Sequence, residues 1–131
     1  MKIGVYADLY STLSSVSGFS SSDWESSTGL NTNCPSGSSG GCIRAQNITN
    51  ARVIITHTFA KAGTISFLGV RAGGSQNCTF TITGATSNST NFNSDNLYRI
   101  DFHAGTNTFT WKDSDPGTLV GNRCFIDDVR Y

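Results

Sequence analysis

The sequence predicts an all-β domain made of two stacked antiparallel sheets. Apolar and polar residues alternate with period two in short runs, such as residues 53–59, 78–83 and 98–103. Turn-forming residues separate these runs, as at 72–75 and 115–117. No stretch has the apolar spacing of a helix longer than a turn or two. Many short strands with frequent turns are typical of a β-sandwich.

Size and composition predict one domain with a neutral surface. The chain has 131 residues, which is enough to bury one hydrophobic core. Charged residues make up 14% of it and the formal net charge is zero. We therefore expect neither nucleic-acid binding nor electrostatic attraction to a membrane. No apolar run of signal-peptide or membrane-spanning length follows Met1, so neither segment is expected.

Residues 1–17 are predicted to form an N-terminal arm, and residues 18–131 the sandwich. Alternating apolar residues in the arm indicate an edge strand or an extension that docks on a neighbouring subunit. An ordinary first strand of the same sheet is the alternative. The arm residues expected to contact a partner are Ile3, Val5, Tyr6, Leu9 and Tyr10.

Four cysteines permit two disulfides in three connectivities. Cys34 and Cys42 bracket a Gly- and Ser-rich loop that a bridge would hold in place. Cys78 and Cys124 lie in strand-like runs and could pair across neighbouring strands. We favour the pairs 34–42 and 78–124, with four reduced thiols as the alternative. No C-x-x-C pair occurs and the chain has two His, so a zinc site is not expected.

The last eight residues, 124–131, read as a closing strand that lies inside a sheet. Asp127 and Asp128 are unfavourable in a strand and need a reason. Ile126 and Val129 are three apart, so both can face the core only if a β-bulge intervenes. A bulge held by Asp-to-backbone hydrogen bonds is one explanation. The other is a structural calcium ion bound by Asp127, Asp128 and Asp23, with Glu25 or loop carbonyls completing its shell.

Three segments in order resemble the MAM-like, concanavalin-type jelly-roll modules of bacterial surface and phage proteins. They are Gly63-Thr-Ile-Ser-Phe67, the run from Ala104 through Trp111 to Asp113, and Phe125-Ile-Asp-Asp-Val129. The resemblance covers about Phe19 to Tyr131. It implies an antiparallel two-sheet jelly roll that acts as a binding or accessory module, sometimes with structural calcium. Where that family has a carboxylate beside its first Phe, this chain has Ser20, which places the calcium in doubt.

The sequence predicts no enzyme. His57 falls on an apolar strand face and is expected to be a hydrogen-bonded core residue, whereas His103 is expected to be exposed. Glu25 is the only Glu, which excludes a pair of catalytic Glu residues. The G-x-S-x-G match at residues 37–41 lacks the strand and helix that a nucleophile elbow needs. Trp111 fits a core strand.

Sugar stacking is the other chemistry that the side chains suggest. Trp24, Tyr10 and Phe92 lie in weakly patterned regions where aromatic rings could be exposed, and Phe92 falls in a polar stretch, 84–96, that reads as a long loop.

Two functions from different classes remain. The first hypothesis is a virion structural protein that decorates or cements a phage capsid or tail, as a trimer or similar oligomer, with its arm on a neighbouring subunit. It would lie on the virion surface. The alternative is an extracellular or cell-surface carbohydrate-binding module or adhesin domain that recognises glycans. Disulfides suit both locations.

Overall fold

A computed structural model describes residues 23–28, 33–38, 41–119 and 121–131. Its described part is all-β, which confirms the predicted fold class of two antiparallel sheets. The strands are β1 (Trp24–Thr28), β2 (Gly41–Ala45), β3 (Ala51–Phe59), β4 (Gly63–Arg71), β5 (Cys78–Gly84), β6 (Asn88–Asn91), β7 (Asn96–Phe102), β8 (Gly105–Asp113) and β9 (Cys124–Arg130). Across these residues, no helix is long and apolar enough to cross a membrane.

The closing strand is the central strand of the larger sheet. That sheet has the order β1-β2-β9-β4-β7, and the smaller sheet has the order β3-β8-β5-β6. The prediction that the last residues lie inside a sheet is therefore confirmed, and Tyr131 is buried. The predicted arm, with Ile3, Val5, Tyr6, Leu9 and Tyr10, lies outside the described residues.

Alternation along the strands fills the space between the two sheets. In β3 and β8 alternate side chains face the core and are buried, except that His57 is only partly buried, and the intervening side chains face solvent. Trp111 is fully buried, as predicted, and packs against Phe67 and Phe80 with ring centroids 5.6 and 5.0 Å apart. Aromatic contacts of this kind add to the free energy gained by burying apolar area.

The stretch 84–96 is not the long polar loop that the sequence predicts. It contains β6, which pairs with β5, and Phe92 is fully buried. Room for that ring exists because β4 has a glycine beneath it: a Cβ atom on Gly69 would lie 2.9 Å from Phe92 Cδ2. A side chain at Gly69 would therefore displace Phe92 from the core.

Both disulfides have the favoured pairing, Cys34–Cys42 and Cys78–Cys124. The second differs from the prediction in one respect. Cys78 begins β5 in the smaller sheet and Cys124 begins β9 in the larger one, so the bond joins the two layers rather than neighbouring strands. Both residues are fully buried within the core.

The Cys34 disulfide ties a loop to the outer face of the larger sheet. Ser36 donates its backbone N–H and its hydroxyl to the two carboxylate oxygens of Asp95, at 3.0 and 2.6 Å. Gly37 approaches Leu68, whose side chain points outward from β4. The loop thus covers part of a sheet face that would otherwise expose apolar side chains.

A β-bulge interrupts the pairing of β9 with β4. Leu68 pairs with Asp127 and Ser66 pairs with Arg130, so two residues of β9 stand opposite the single residue between them on β4. Asp128 takes a left-handed backbone conformation with φ of 51°. The predicted bulge is therefore confirmed, and it lets Val129 enter the core immediately after Asp128.

A buried carboxylate holds the start of β9. Asp113 is fully buried and accepts hydrogen bonds from the backbone N–H groups of Cys124, at 2.9 Å, and Asp115, at 3.2 Å. Burial raises the pKa of Asp113 above its usual 3.8, and the two N–H donors offset this only in part.

Removing the disulfides in turn should reveal their unequal contributions to stability. The Cys78→Ala/Cys124→Ala variant should lose about 4 kcal/mol of unfolding free energy, because its bond closes a 46-residue separation. The Cys34→Ala/Cys42→Ala variant, with a separation of 8, should lose about 2.5 kcal/mol. Urea unfolding measures the loss of free energy in each variant. Equal losses would contradict the prediction that the disulfide with the longer loop stabilises the fold more.

The stability of the bulge should depend on how easily residue 128 adopts a left-handed backbone conformation. Asp128→Val should lower the unfolding free energy by about 1–2 kcal/mol, since a β-branched side chain resists positive φ. Asp128→Gly should stay within about 1 kcal/mol of the wild type. Chemical denaturation compares the three proteins, and a valine variant as stable as the glycine variant would argue against a strained bulge.

Asp113→Asn should change how stability depends on pH. The folded-state pKa of Asp113 is raised, so its stabilising contribution is present below about pH 3.8 and is lost as pH rises through the folded-state pKa. The Asn variant does not titrate, so relative to wild type it should gain stability as pH rises through that window. Urea titrations between about pH 3 and 7 measure the difference in unfolding free energy between the two proteins. A difference that does not change with pH would refute a raised pKa for Asp113 in the folded state.

Candidate functional site

A cleft of about 750 Å³ opens at the end of the sandwich where β3 ends and β4 begins. We call it the terminal cleft. It lies at the end opposite the Cys78–Cys124 disulfide, because β9 begins at that bond and ends at the cleft. The side chains that matter below come from β3, the β3–β4 turn, β4, β7 and the end of β9: His57, Lys61, Thr64, Ser66, Arg99 and Arg130.

Aromatic rings form the floor of the terminal cleft. Phe59 contacts Phe102 and Tyr131, with ring centroids 4.2 and 5.3 Å apart, and His57 contacts Phe59 at 4.7 Å. Phe59, Phe102 and Tyr131 are only 6%, 4% and 7% exposed. These rings therefore close the core at this end but offer little area on which a flat ligand could stack.

Two arginines flank a serine on the outer face of the larger sheet. Ser66 of β4 pairs with Arg99 of β7 on one side and with Arg130 of β9 on the other. Side chains at directly paired positions point to the same face, so the three form one row across the sheet. With strands about 4.8 Å apart, the two arginine backbones lie roughly 10 Å from each other.

The bulge in β9 puts Arg130 into this row. Without the extra residue, strict alternation after Asp127 would direct Val129 outward and Arg130 inward. With it, Val129 is 1% exposed in the core and Arg130 lines the cleft on the outer face. The same feature that completes the core therefore positions a cation beside Ser66.

A smaller cavity of about 270 Å³ adjoins the terminal cleft and shares Ser66, Arg99 and Arg130 with it. Asp128 lines this second cavity. Its pKa is raised by burial, and the positive charge of Arg130 lowers it in part. The arginine row thus stands between two concave surfaces, with one carboxylate facing Arg130 from the smaller of them.

The charge of the terminal cleft is positive. Lys61, Arg99 and Arg130 line it, whereas no Asp or Glu side chain does. The carboxylate of Asp101 lies at its margin and accepts a hydrogen bond from the Thr64 hydroxyl at 2.7 Å. Among the described residues, neither arginine of the row forms a salt bridge.

The aromatic residues predicted to bind glycans do not form an exposed platform. Trp24 and Phe92 are both fully buried in the core, so their predicted exposure is wrong. Trp24 begins β1 and pairs with Ala45, which places its ring on the inner face of the sheet. Tyr10 lies outside the described residues.

The predicted calcium ligands do not converge. Asp23 precedes β1 and accepts the backbone N–H of Arg52, whereas Asp127 pairs with Leu68 in the middle of the larger sheet. Within the described ranges, no group of three His, Cys, Asp or Glu residues could hold a metal ion.

Glu25, the residue proposed to complete the calcium shell, already has partners. Its Oε1 atom accepts from Arg44 Nε at 3.1 Å and from Arg123 Nη1 at 3.3 Å. Arg123 also donates to the backbone oxygen of Ala45. Through Glu25 and Ala45, Arg123 therefore joins the β8–β9 loop to the two strands at the edge of the larger sheet.

The two histidines differ in environment. His103 is exposed, as predicted. His57 lies on the core side of β3 but is only partly buried, and its ring lines the terminal cleft. Arg99 and Arg130 were not among the site residues predicted from the sequence. The one available signal was the bulge deduced from Ile126 and Val129, which by parity also moves Arg130 to the outer face.

Comparison with known proteins finds similarity in structure alone. No protein-family model matches the sequence, and no curated protein matches it. The family 35 carbohydrate-binding module (CBM35) from Cellvibrio japonicus Abf62 is similar over 99% of this chain and 91% of its own, with 13% identity and a TM-score of 0.50.

A GH26-CBM35 β-(1,4)-mannanase from Podospora anserina is similar over 99% of this chain but 26% of its own, with 10% identity and a TM-score of 0.53. This chain thus spans about a quarter of that enzyme. At these identities the likeness shows the fold, a jelly-roll β-sandwich, and it does not support the MAM-like assignment.

Proposed function

We propose that this protein is a non-catalytic carbohydrate-binding domain that holds a saccharide in the terminal cleft. The observation that carries the proposal is the cleft itself, a concave site of about 750 Å³ rimmed by hydrogen-bond donors on a rigid sandwich. The two similar structures, a carbohydrate-binding module and a mannanase that contains one, support it.

The polar groups of the cleft suit saccharide hydroxyls. Thr58, Lys61, Thr64 and Ser66 line it together with Arg99 and Arg130, and the other residues of the β3–β4 turn line it as well. Saccharides are recognised through many directed hydrogen bonds, which strands hold in fixed positions more accurately than loops do.

The absence of catalytic groups from the cleft lining supports a binding role. Its lining residues include no Asp, Glu or Cys side chain, so they contain no carboxylate pair for glycoside hydrolysis. His57 contacts the rings of Phe59 and Tyr131 rather than a nucleophile. We therefore propose that the domain binds its ligand and leaves it unchanged.

Carbohydrate binding is favoured here over the virion hypothesis. The N-terminal arm, one of the features behind that hypothesis, lies outside the described residues, and neither similar structure is a virion component. The two disulfides agree with an extracellular or cell-surface location, because such bonds persist in oxidising environments.

A glycan array followed by calorimetry tests the proposal with a variant that fills the cleft. Ala62→Trp, in the exposed β3–β4 turn, should weaken binding of any array-selected glycan by at least about tenfold, because the indole would occupy the ligand's space. Ala104→Trp is the matched control: Ala104 is also an exposed alanine in a turn but does not line the cleft.

The control should bind like the wild type, and neither protein should release new reducing ends from the bound glycan. Binding that survives Ala62→Trp, or an array with no positive glycan, would refute the proposed site.

A further inference from the structure

We infer that the terminal cleft is specific for a saccharide that carries an anionic oxygen group, a carboxylate or a sulfate ester, held between Arg99 and Arg130. This inference rests on the proposed function and names the class of ligand. It starts from the arginine row, in which Ser66 stands between the two guanidinium side chains on one sheet face.

The two arginines are available to a ligand. Arg99 is exposed and Arg130 is partly exposed, and neither forms a salt bridge among the described residues. Arg44 and Arg123 provide the contrast, because both pair with Glu25 and serve the structure. Arginines that line a concave surface without an ion-pair partner are suited to bidentate recognition of carboxylate or sulfate oxygens.

The charge around the row favours an anion. Lys61, Arg99 and Arg130 line the terminal cleft, while Asp128 lines the adjoining cavity and Asp101 lies at the margin. Three cationic side chains therefore stand against two carboxylate side chains, one of which already accepts the Thr64 hydroxyl. The whole chain has zero formal net charge, so this excess is local to the cleft and is not a property of the general surface.

The burial of the aromatic rings in the cleft floor also favours an anionic ligand. Its three largest rings are at most 7% exposed, so stacking on sugar faces contributes little area. Affinity at this site would then depend on charged hydrogen bonds, each of which is stronger than a neutral one. A neutral saccharide would offer neither guanidinium group a charged hydrogen-bond partner.

The serine between the arginines completes the recognition geometry. Its hydroxyl can donate to an anionic oxygen that lies between the two guanidinium groups, since paired positions on neighbouring strands are close enough for one small group to reach all three. The backbone positions are fixed by ladders on both sides of β4, so the row is organised before any ligand arrives.

Dextran of one chain length in three forms, unmodified, carboxymethylated and sulfated, tests the inference by affinity electrophoresis and calorimetry in about 0.15 M salt. Wild type should bind at least one anionic form roughly tenfold or more tightly than unmodified dextran. Arg99→Gln/Arg130→Gln should lose that preference. Arg52→Gln is the matched control, an exposed arginine on a strand of the opposite sheet, and should keep it.

The three dextrans also separate the two sources of negative charge. Preference for the sulfated form alone assigns a sulfate ester, and preference for the carboxymethylated form assigns a uronate-type carboxylate. Equal affinity for all three forms, binding to none of them, or an equal loss in the Arg52 control would overturn the inference. If the array finds a neutral glycan that binds wild type and the double variant equally, the proposed function stands and this inference fails. If no glycan binds, both fail.

Discussion

The extra residue in β9 is the constraint on which both the core and the candidate site depend. A strand with strict alternation could place either Ile126 or Val129 in the core, but not both, and with Ile126 in the core it would turn Arg130 inward. The extra residue at Asp128, which has a left-handed backbone conformation, shifts the alternation by one position, so that Ile126 and Val129 both face the core and Arg130 faces outward. The shift lies in the pairing of β9 with β4, whereas β2 pairs with β9 before it, at Phe125 and Ile126.

Much of the fold could be predicted because its causes are local in the sequence. Period-two alternation gave the strands, and the spacing of Ile126 and Val129 gave the bulge, since a fully buried pair three residues apart contradicts a regular strand. The disulfide pairing followed from which cysteines lie in strands and which bracket a loop. That Cys78 and Cys124 lie in different sheets was not predictable, because the alternation of residues shows which face of a strand is buried but not which strands are neighbours.

The site was not predictable for the same reason. Arg99 and Arg130 are brought together only by their shared partner Ser66, and a pairing register over such sequence separations leaves no trace in composition. The aromatic predictions failed differently. Trp24 and Phe92 lie among polar residues, and burial was decided by what faces them across the fold, such as the space that Gly69 leaves open.

The Cys78–Cys124 disulfide affects how far the two sheets can move relative to each other. A covalent bond fixes the separation of the sheets near Cys78, whereas at the cleft end the described residues show aromatic packing between the layers, as between Phe59 and Tyr131. The separation of the two sheets should therefore fluctuate least at the disulfide and more towards the opposite end of the sandwich. We therefore expect the width of the terminal cleft to vary more than the separation of the sheets at the disulfide.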